Sequence, residues 1–210
     1  MRIAITGHRP DKLGGYDANN PLRVRLRNRF KDVLVSLVAD ALTFRGAKPQ
    51  DIEVYVGGAL GFDTDAARVC VEVAVPFVVA VPFPSQWKRW KPSDQAVYRN
   101  MLTYAKRVEY VSEVDPPAYG DGSAVASVLN ARNQYMVDRC DIVVAAWDGS
   151  RGGTGHCVEY AKQKGKEIIV LTPGCVCGDG SLNNDRMYYI NPQPVSHNQY
   201  TLTVNQQNDQ

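Results

Sequence analysis

Short apolar runs alternate along this chain with longer segments whose apolar residues recur every third or fourth position. "RIAIT" (2–6) is continuous enough for a buried strand. The segment that follows carries Leu22, Leu26, Phe30, Val33, Leu37 and Ala41 at helical spacing. The alternation then repeats. Strands are expected at 53–58, 77–83, 107–112, 141–147 and 166–173. Helices are expected over 62–73, 94–106 and 123–139, and after the loop "GSRGGTG" (149–155). Alternating βα units with near-continuous apolar strands predict a mostly parallel sheet covered on both faces by helices. The expected fold is therefore a Rossmann-like, doubly wound α/β domain with its ligand at the carboxyl ends of the strands.

That domain is expected over residues 1–174. Beyond it the periodicity stops, and 175–210 reads as a polar C-terminal extension in which "YTLTV" (200–204) is at most an edge strand. Composition adds little to fold class: 44% of the 210 residues are hydrophobic and 22% charged, as in ordinary soluble domains. Net charge is +2, too small to argue for nucleic acid by bulk charge. Arg23, Arg25, Arg27 and Arg29 alternate, so on a helix they spread over polar faces and are expected to be solvated. Nucleic acid is thus not an expected partner. Five cysteines, an odd number, read as reduced thiols, and no apolar run has the length of a membrane span. A cytoplasmic protein that does not engage a membrane is expected. "CVC" (175–177) lacks the spacer of a redox or zinc motif, and neither a metal nor a cofactor is expected.

Three strand exits carry loops suited to a ligand. In "TGHRP" (6–10), Gly7 lets the backbone approach a ligand while His8 and Arg9 face the crevice. In "GGALGFDTDAA" (57–67), Gly57, Gly58 and Gly61 turn tightly into a helix. There Asp63 and Asp65 would repel a phosphate, so Asp63 is expected to meet a hydroxyl such as that of a ribose, or else only to favour the helix dipole. In "GSRGGTGHCVE" (149–159), Gly152, Gly153 and Thr154 open a helix with no carboxylate before Glu159, beside Arg151. This is the better phosphate cradle. Arg132 lies on the apolar stripe of Val125, Leu129 and Met136, and a charge aimed at the sheet needs a partner or an anion. Asn130 and Asn133 flank it. Trp87 and Trp90 in "QWKRW" either stack on a base or cover the sheet edge.

Together "GGALGFDTDAA", "ARNQYMVDRCD" (131–141) and "GGTGHCVEYA" (152–161) resemble the SLOG superfamily, in its YspA/YpsA-like branch. "TGHRPDKLGGYD" (6–17) and "PFPSQWKRWKPSDQAVYRNML" (82–102) are similar to the same branch. The resemblance spans roughly residues 1–173 and implies a Rossmann-like nucleotide-binding domain that commonly forms dimers or larger oligomers. In the related LOG phosphoribohydrolases, an arginine of an R-x-x-x-M helix and a glutamate after a GGxGT loop act at a glycosidic bond. Arg132 and Met136 match that helix, and Gly152, Gly153 and Thr154 match the loop in part. His156 and Cys157 stand where those enzymes place carboxylates, and Glu159 lies about one turn further on.

Two functions follow as expectations. In the first, the chain binds a nucleotide or nucleotide-derived signal, with the phosphate on Gly152–Thr154, Arg132 supporting the anion and Asp63 contacting a sugar. In the second, it is an N-glycosidase acting on a nucleoside 5′-monophosphate, with Arg132 orienting the substrate and Asp63 or Glu159 as the carboxylate.

Overall fold

The computed structural model describes residues 1–116, 122–176, 182–183 and 186–190. Strand and helix alternate as β1 (Arg2–Gly7), α1 (Pro21–Phe44), β2 (Glu53–Val56), α2 (Phe62–Glu72), β3 (Phe77–Val81), α3 (Pro92–Tyr104), β4 (Arg107–Tyr110), α4 (Gly122–Arg139), β5 (Ile142–Ala146), α5 (Gly153–Gln163) and β6 (Glu167–Leu171). The start of α1 is fixed locally. Asn20 caps it by accepting the Leu22 N–H at 2.9 Å, and Pro21 occupies the first turn, where its missing N–H costs nothing.

The strands lie in the order β4-β3-β2-β1-β5-β6, all parallel. The chain winds outward from β1 to β4, then crosses back to start again with β5 on the other side of β1. Strand order therefore reverses between β1 and β5, and a crevice opens at their carboxyl ends. Side-chain alternation divides the core between the two faces. Ile3, Ile5, Val54, Val56 and Val144 pack with Leu26, Phe30 and Phe62 on the side of α1, α2 and α3. Ala4, Tyr55, Val143 and Ala145 pack with Met136, Val137, Cys157 and Val158 on the side of α4 and α5. The doubly wound α/β fold is the one the pattern predicts.

Beyond residue 174 the expectation needs correction. Short strands β7 (Cys175–Val176) and β8 (Leu182–Asn183) pair with each other, and β9 (Met187–Ile190) adds antiparallel to the free edge of β6. The sheet thus reaches past the boundary expected at 174. "MYYI" is too short to show a period, and only an open strand edge gives it a partner. "YTLTV" and Cys177 lie outside the described residues. Among the described residues no helix is long and apolar enough to cross a membrane, and no group of metal-ligating side chains is assembled.

Candidate functional site

A crevice of about 290 Å³ occupies the point where strand order reverses. Its walls are the exit of β1, the start of α2, the middle of α4 and the loop entering α5. Thr6, His8, Asp63, Arg132, Asn133 and Thr154 line it, six of the eleven buried polar side chains among the described residues. Buried polar groups are costly unless something answers them, so their concentration here marks the site. A larger cavity of about 410 Å³ lies between α2, α3 and the 10–18 loop. Its lining is mainly apolar, and its buried charges, Arg23 and Asp65, already satisfy each other. The smaller crevice is the better candidate on chemistry.

Its floor is a buried ion pair. Arg132 and Asp63 are 5% and 4% exposed, and Arg132 Nη1 stands 3.8 Å from Asp63 Oδ2. Arg132 also donates from Nε to Asn133 Oδ1 at 3.0 Å and from Nη1 to the Gly57 carbonyl. Asp63 Oδ2 accepts the Ala59 N–H at 3.2 Å. Burial raises the Asp63 carboxyl above its ordinary value, against the pull of Arg132, and lowers the Arg132 guanidinium, against the pull of Asp63. At Gly57 the backbone lies so close to the Arg132 guanidinium that an added Cβ would displace it. At Gly61 φ is 104°, and a Cβ would strike the His8 carbonyl oxygen. Gly57, Gly58 and Gly61 thus shape the turn beneath the crevice, whereas Gly7, His8, Arg9, Asp63, Arg132, Asn133, Gly152, Gly153 and Thr154 line it.

Helix α5 presents an open N-terminus to this space. Gly152 is its N-cap at φ 143°, no side chain caps it, and its first turn holds no acid. A Cβ at Gly152 or Gly153 would meet nothing within 4 Å. The first N–H groups of a helix lack partners within it and favour an anion. Asn133 Nδ2 reaches the Gly153 carbonyl at 3.3 Å and ties the loop to α4. The residues just after the loop diverge. Cys157 is buried against Thr6, and burial pushes its thiol up to about 11, which makes it an inert core group. His156 and Glu159 face a separate polar groove between α4 and α5, and Glu159 pairs with Lys162 at 3.4 Å. Glu159 is therefore not brought to the crevice with Asp63 and Arg132.

Sequence reasoning missed a second polar cluster at the rim. His8 Nε2 lies 2.7 Å from Asp148 Oδ1 and 3.1 Å from the Asp148 main-chain nitrogen. One ring nitrogen cannot donate to the first and accept from the second. The shorter contact to a carboxylate assigns the proton to Nε2. Burial lowers His8 below the ordinary imidazole value, opposed by Asp148. Desolvation acts to raise Asp148, but the hydroxyl and N–H of Ser150, with His8, hold it well below the carboxylate range. Lys12 donates to Ser150 Oγ and lies 3.9 Å from Asp148. The available signal was position: Asp148 follows β5 almost directly, beside the exit of β1.

Two expectations about other residues are corrected or decided. Arg23 is not solvated: it is 5% exposed and forms a two-pronged pair with Asp65 at 2.9 Å on each arm. Arg27 reaches the same carboxylate at 3.2 Å. Spacing along α1 did not reveal that α2 delivers an acid there. Trp87 and Trp90 pack on Tyr98, with ring centroids 6.4 and 5.4 Å away, and so belong to the sheet cover.

The sequence model of the YspA SLOG family matches residues 3–172. The chain belongs to the YspA SLOG family. A similar protein is the SPbeta prophage-derived protein YoqJ of Bacillus subtilis strain 168, 32% identical over an alignment of 182 positions that covers 81% of this chain and 98% of YoqJ. A UPF0398 protein of Bacillus thuringiensis strain Al Hakam is 26% identical, over 78% of this chain and 84% of its own. Among solved structures, DNA processing protein A of Helicobacter pylori, described for a single-stranded DNA binding mode, superposes with a TM-score of 0.52 at 18% identity. DprA of Streptococcus pneumoniae gives 0.52 at 14%. The matches cover 81% and 85% of this chain but 65% and 52% of those longer chains, and they show a shared fold. They also overturn the ground for setting nucleic acid aside, because a protein that shares this fold is described for binding single-stranded DNA. Net charge does not decide the matter: it sums the whole chain, whereas Arg9, Lys12 and Arg151 all gather on the crevice of this YspA SLOG domain.

Proposed function

We propose that this YspA SLOG domain binds a phosphorylated, nucleotide-derived ligand in the crevice between β1 and β5. One observation carries the reading: the uncapped, acid-free N-terminus of α5, with its glycines open, faces that crevice. The phosphate sits on Gly152, Gly153 and Thr154, with Arg9, Lys12 and Arg151 as surrounding cations. Arg132 supports the floor, and the sugar lies toward Asp63. Thermal shift and calorimetric titration with inorganic phosphate, AMP, cyclic AMP and a short 5′-phosphorylated single-stranded oligonucleotide test this. Binding of AMP or of the oligonucleotide supports it, and the preferred arm tells whether the nucleotide is read free or within a strand. No binding in any arm overturns it.

A second reading rests on Asp63, a buried carboxyl raised above its ordinary value on the crevice wall. A carboxyl raised in this way suits the general-acid role in N-glycoside cleavage, in which it gives its proton to the departing base. Release of free base from a nucleoside 5′-monophosphate, abolished by Asp63→Asn, would replace the binding reading with hydrolysis.

A further inference from the structure

The crevice offers a ligand many donors: the first N–H groups of α5 and the side chains of Arg9, Lys12, Arg132 and Asn133. Acceptors are scarcer, and Asp63 is engaged by Arg132 and the Ala59 N–H. His8 differs from all of these. Its Nε2 is tied to Asp148, which stands outside the crevice lining, while His8 itself lies within it, 6% exposed. With the proton on Nε2, Nδ1 carries a lone pair, and among the described residues no hydrogen bond reaches it. A buried, unanswered acceptor beside a cationic pocket calls for a ligand donor.

Building on the phosphate-binding reading above, we propose that His8 Nδ1 accepts a hydrogen bond from a hydroxyl of the bound ligand, with Asp148 as the positioning residue that fixes the accepting tautomer. The site then selects a sugar phosphate with a free hydroxyl over its deoxy counterpart. Asp148 acts through His8 and needs no contact with the ligand itself. A carboxylate that orients an imidazole in this way decides which nitrogen meets the ligand. Protonation at Nδ1 would turn the acceptor into a donor and remove the preference.

The measurement is the affinity ratio between AMP and its 2′-deoxy and 2′,3′-dideoxy forms, by titration calorimetry on the whole chain. Inorganic phosphate serves as the reference for the anion site. At pH 7.5 the hydroxyl-bearing ligand should bind about 10-fold more tightly than the form that lacks the hydroxyl. Asp148→Asn, at a half-exposed position, should reduce that ratio several-fold, and His8→Asn should shift it further. In the unaltered protein the ratio should also collapse on acidification below the imidazole range. It should do so without following the phosphate titration, which the paired ligands share. The groups that face His8 through this range are Asp148, Lys12 and Asp11, and Asp63, Arg132 and Arg9 share the crevice. A ratio of one in the unaltered protein, or a ratio unmoved by Asp148→Asn and by pH, overturns the proposal and leaves phosphate binding standing. Failure of AMP to bind removes this proposal, and failure of phosphate, AMP, cyclic AMP and the oligonucleotide together removes the binding reading with it.

Discussion

The Arg132 guanidinium stands 3.8 Å from the Asp63 carboxylate, and both side chains are almost wholly buried beneath the crevice. Neither charge has water to fall back on, so each depends on the other. Arg132→Leu should lower stability at pH 7 by about 3 kcal/mol, because it leaves a buried carboxylate unpaired. Burial already raises Asp63 above its unfolded value, so its protonated form is the better tolerated one. The deficit should therefore shrink as pH falls toward the carboxyl range and grow as pH rises. Adding Asp63→Leu to Arg132→Leu should recover most of the loss. Denaturant midpoints for the single and double variants, measured at two pH values, check this.

Gly153→Asp separates folding from binding. A Cβ at this position meets nothing within 4 Å, and a carboxylate in the first turn of α5 favours the helix dipole. Thermal stability without ligand should stay within about 0.5 kcal/mol of the parent or rise. The same carboxylate occupies the proposed phosphate position, so affinity for AMP should drop more than about 10-fold. Melting curves with and without AMP give both numbers.

Glu53 lies at the other end of the sheet and governs acid stability. It accepts from Arg107 at 2.6 Å and from Lys106 at 2.7 Å, and Arg107 foremost holds its carboxyl down to about 2 against an ordinary value of 4.5. A carboxyl depressed in the folded state contributes its stability above the unfolded value and loses it as pH falls through the folded one. Glu53→Gln should cost roughly 1–3 kcal/mol at neutral pH, its partners being partly solvated. The difference from the parent should fade between pH 4.5 and 2. Urea denaturation across that interval tests the sign as well as the size.

Cys157 should be chemically silent. Its thiol is 2% exposed and pushed up to about 11. Iodoacetamide at pH 8 should label it more than about 10-fold more slowly in the folded chain than in urea, as peptide mapping would reveal. Fast labelling in the folded state would overturn the reading of Cys157 as an inert core group.

Much of the candidate site's lining was legible in the sequence because its loops follow buried strands. Gly7, His8 and Arg9 leave β1, and Gly152, Gly153 and Thr154 enter α5; the winding rule brings those two exits together. The Arg132 stripe gave a buried charge, and the structure supplied Asp63 as its partner. Glu159 was harder. Helical spacing places it one turn on from Thr154, but only packing decides that it faces the groove with His156. Arg23 shows the same limit: a periodic pattern marks it polar, and only the docking of α1 on α2 puts Asp65 within its reach.

Alternating apolar periods of two kinds determined the βα order, the parallel sheet and the end at which a ligand would lie, since each element must bury its own face. The partners of buried charges, the antiparallel strand β9 and the imidazole edge fixed by Asp148 were decided by tertiary structure. Those contacts join residues as many as 140 positions apart, and local periodicity carries no record of which distant side chain will arrive.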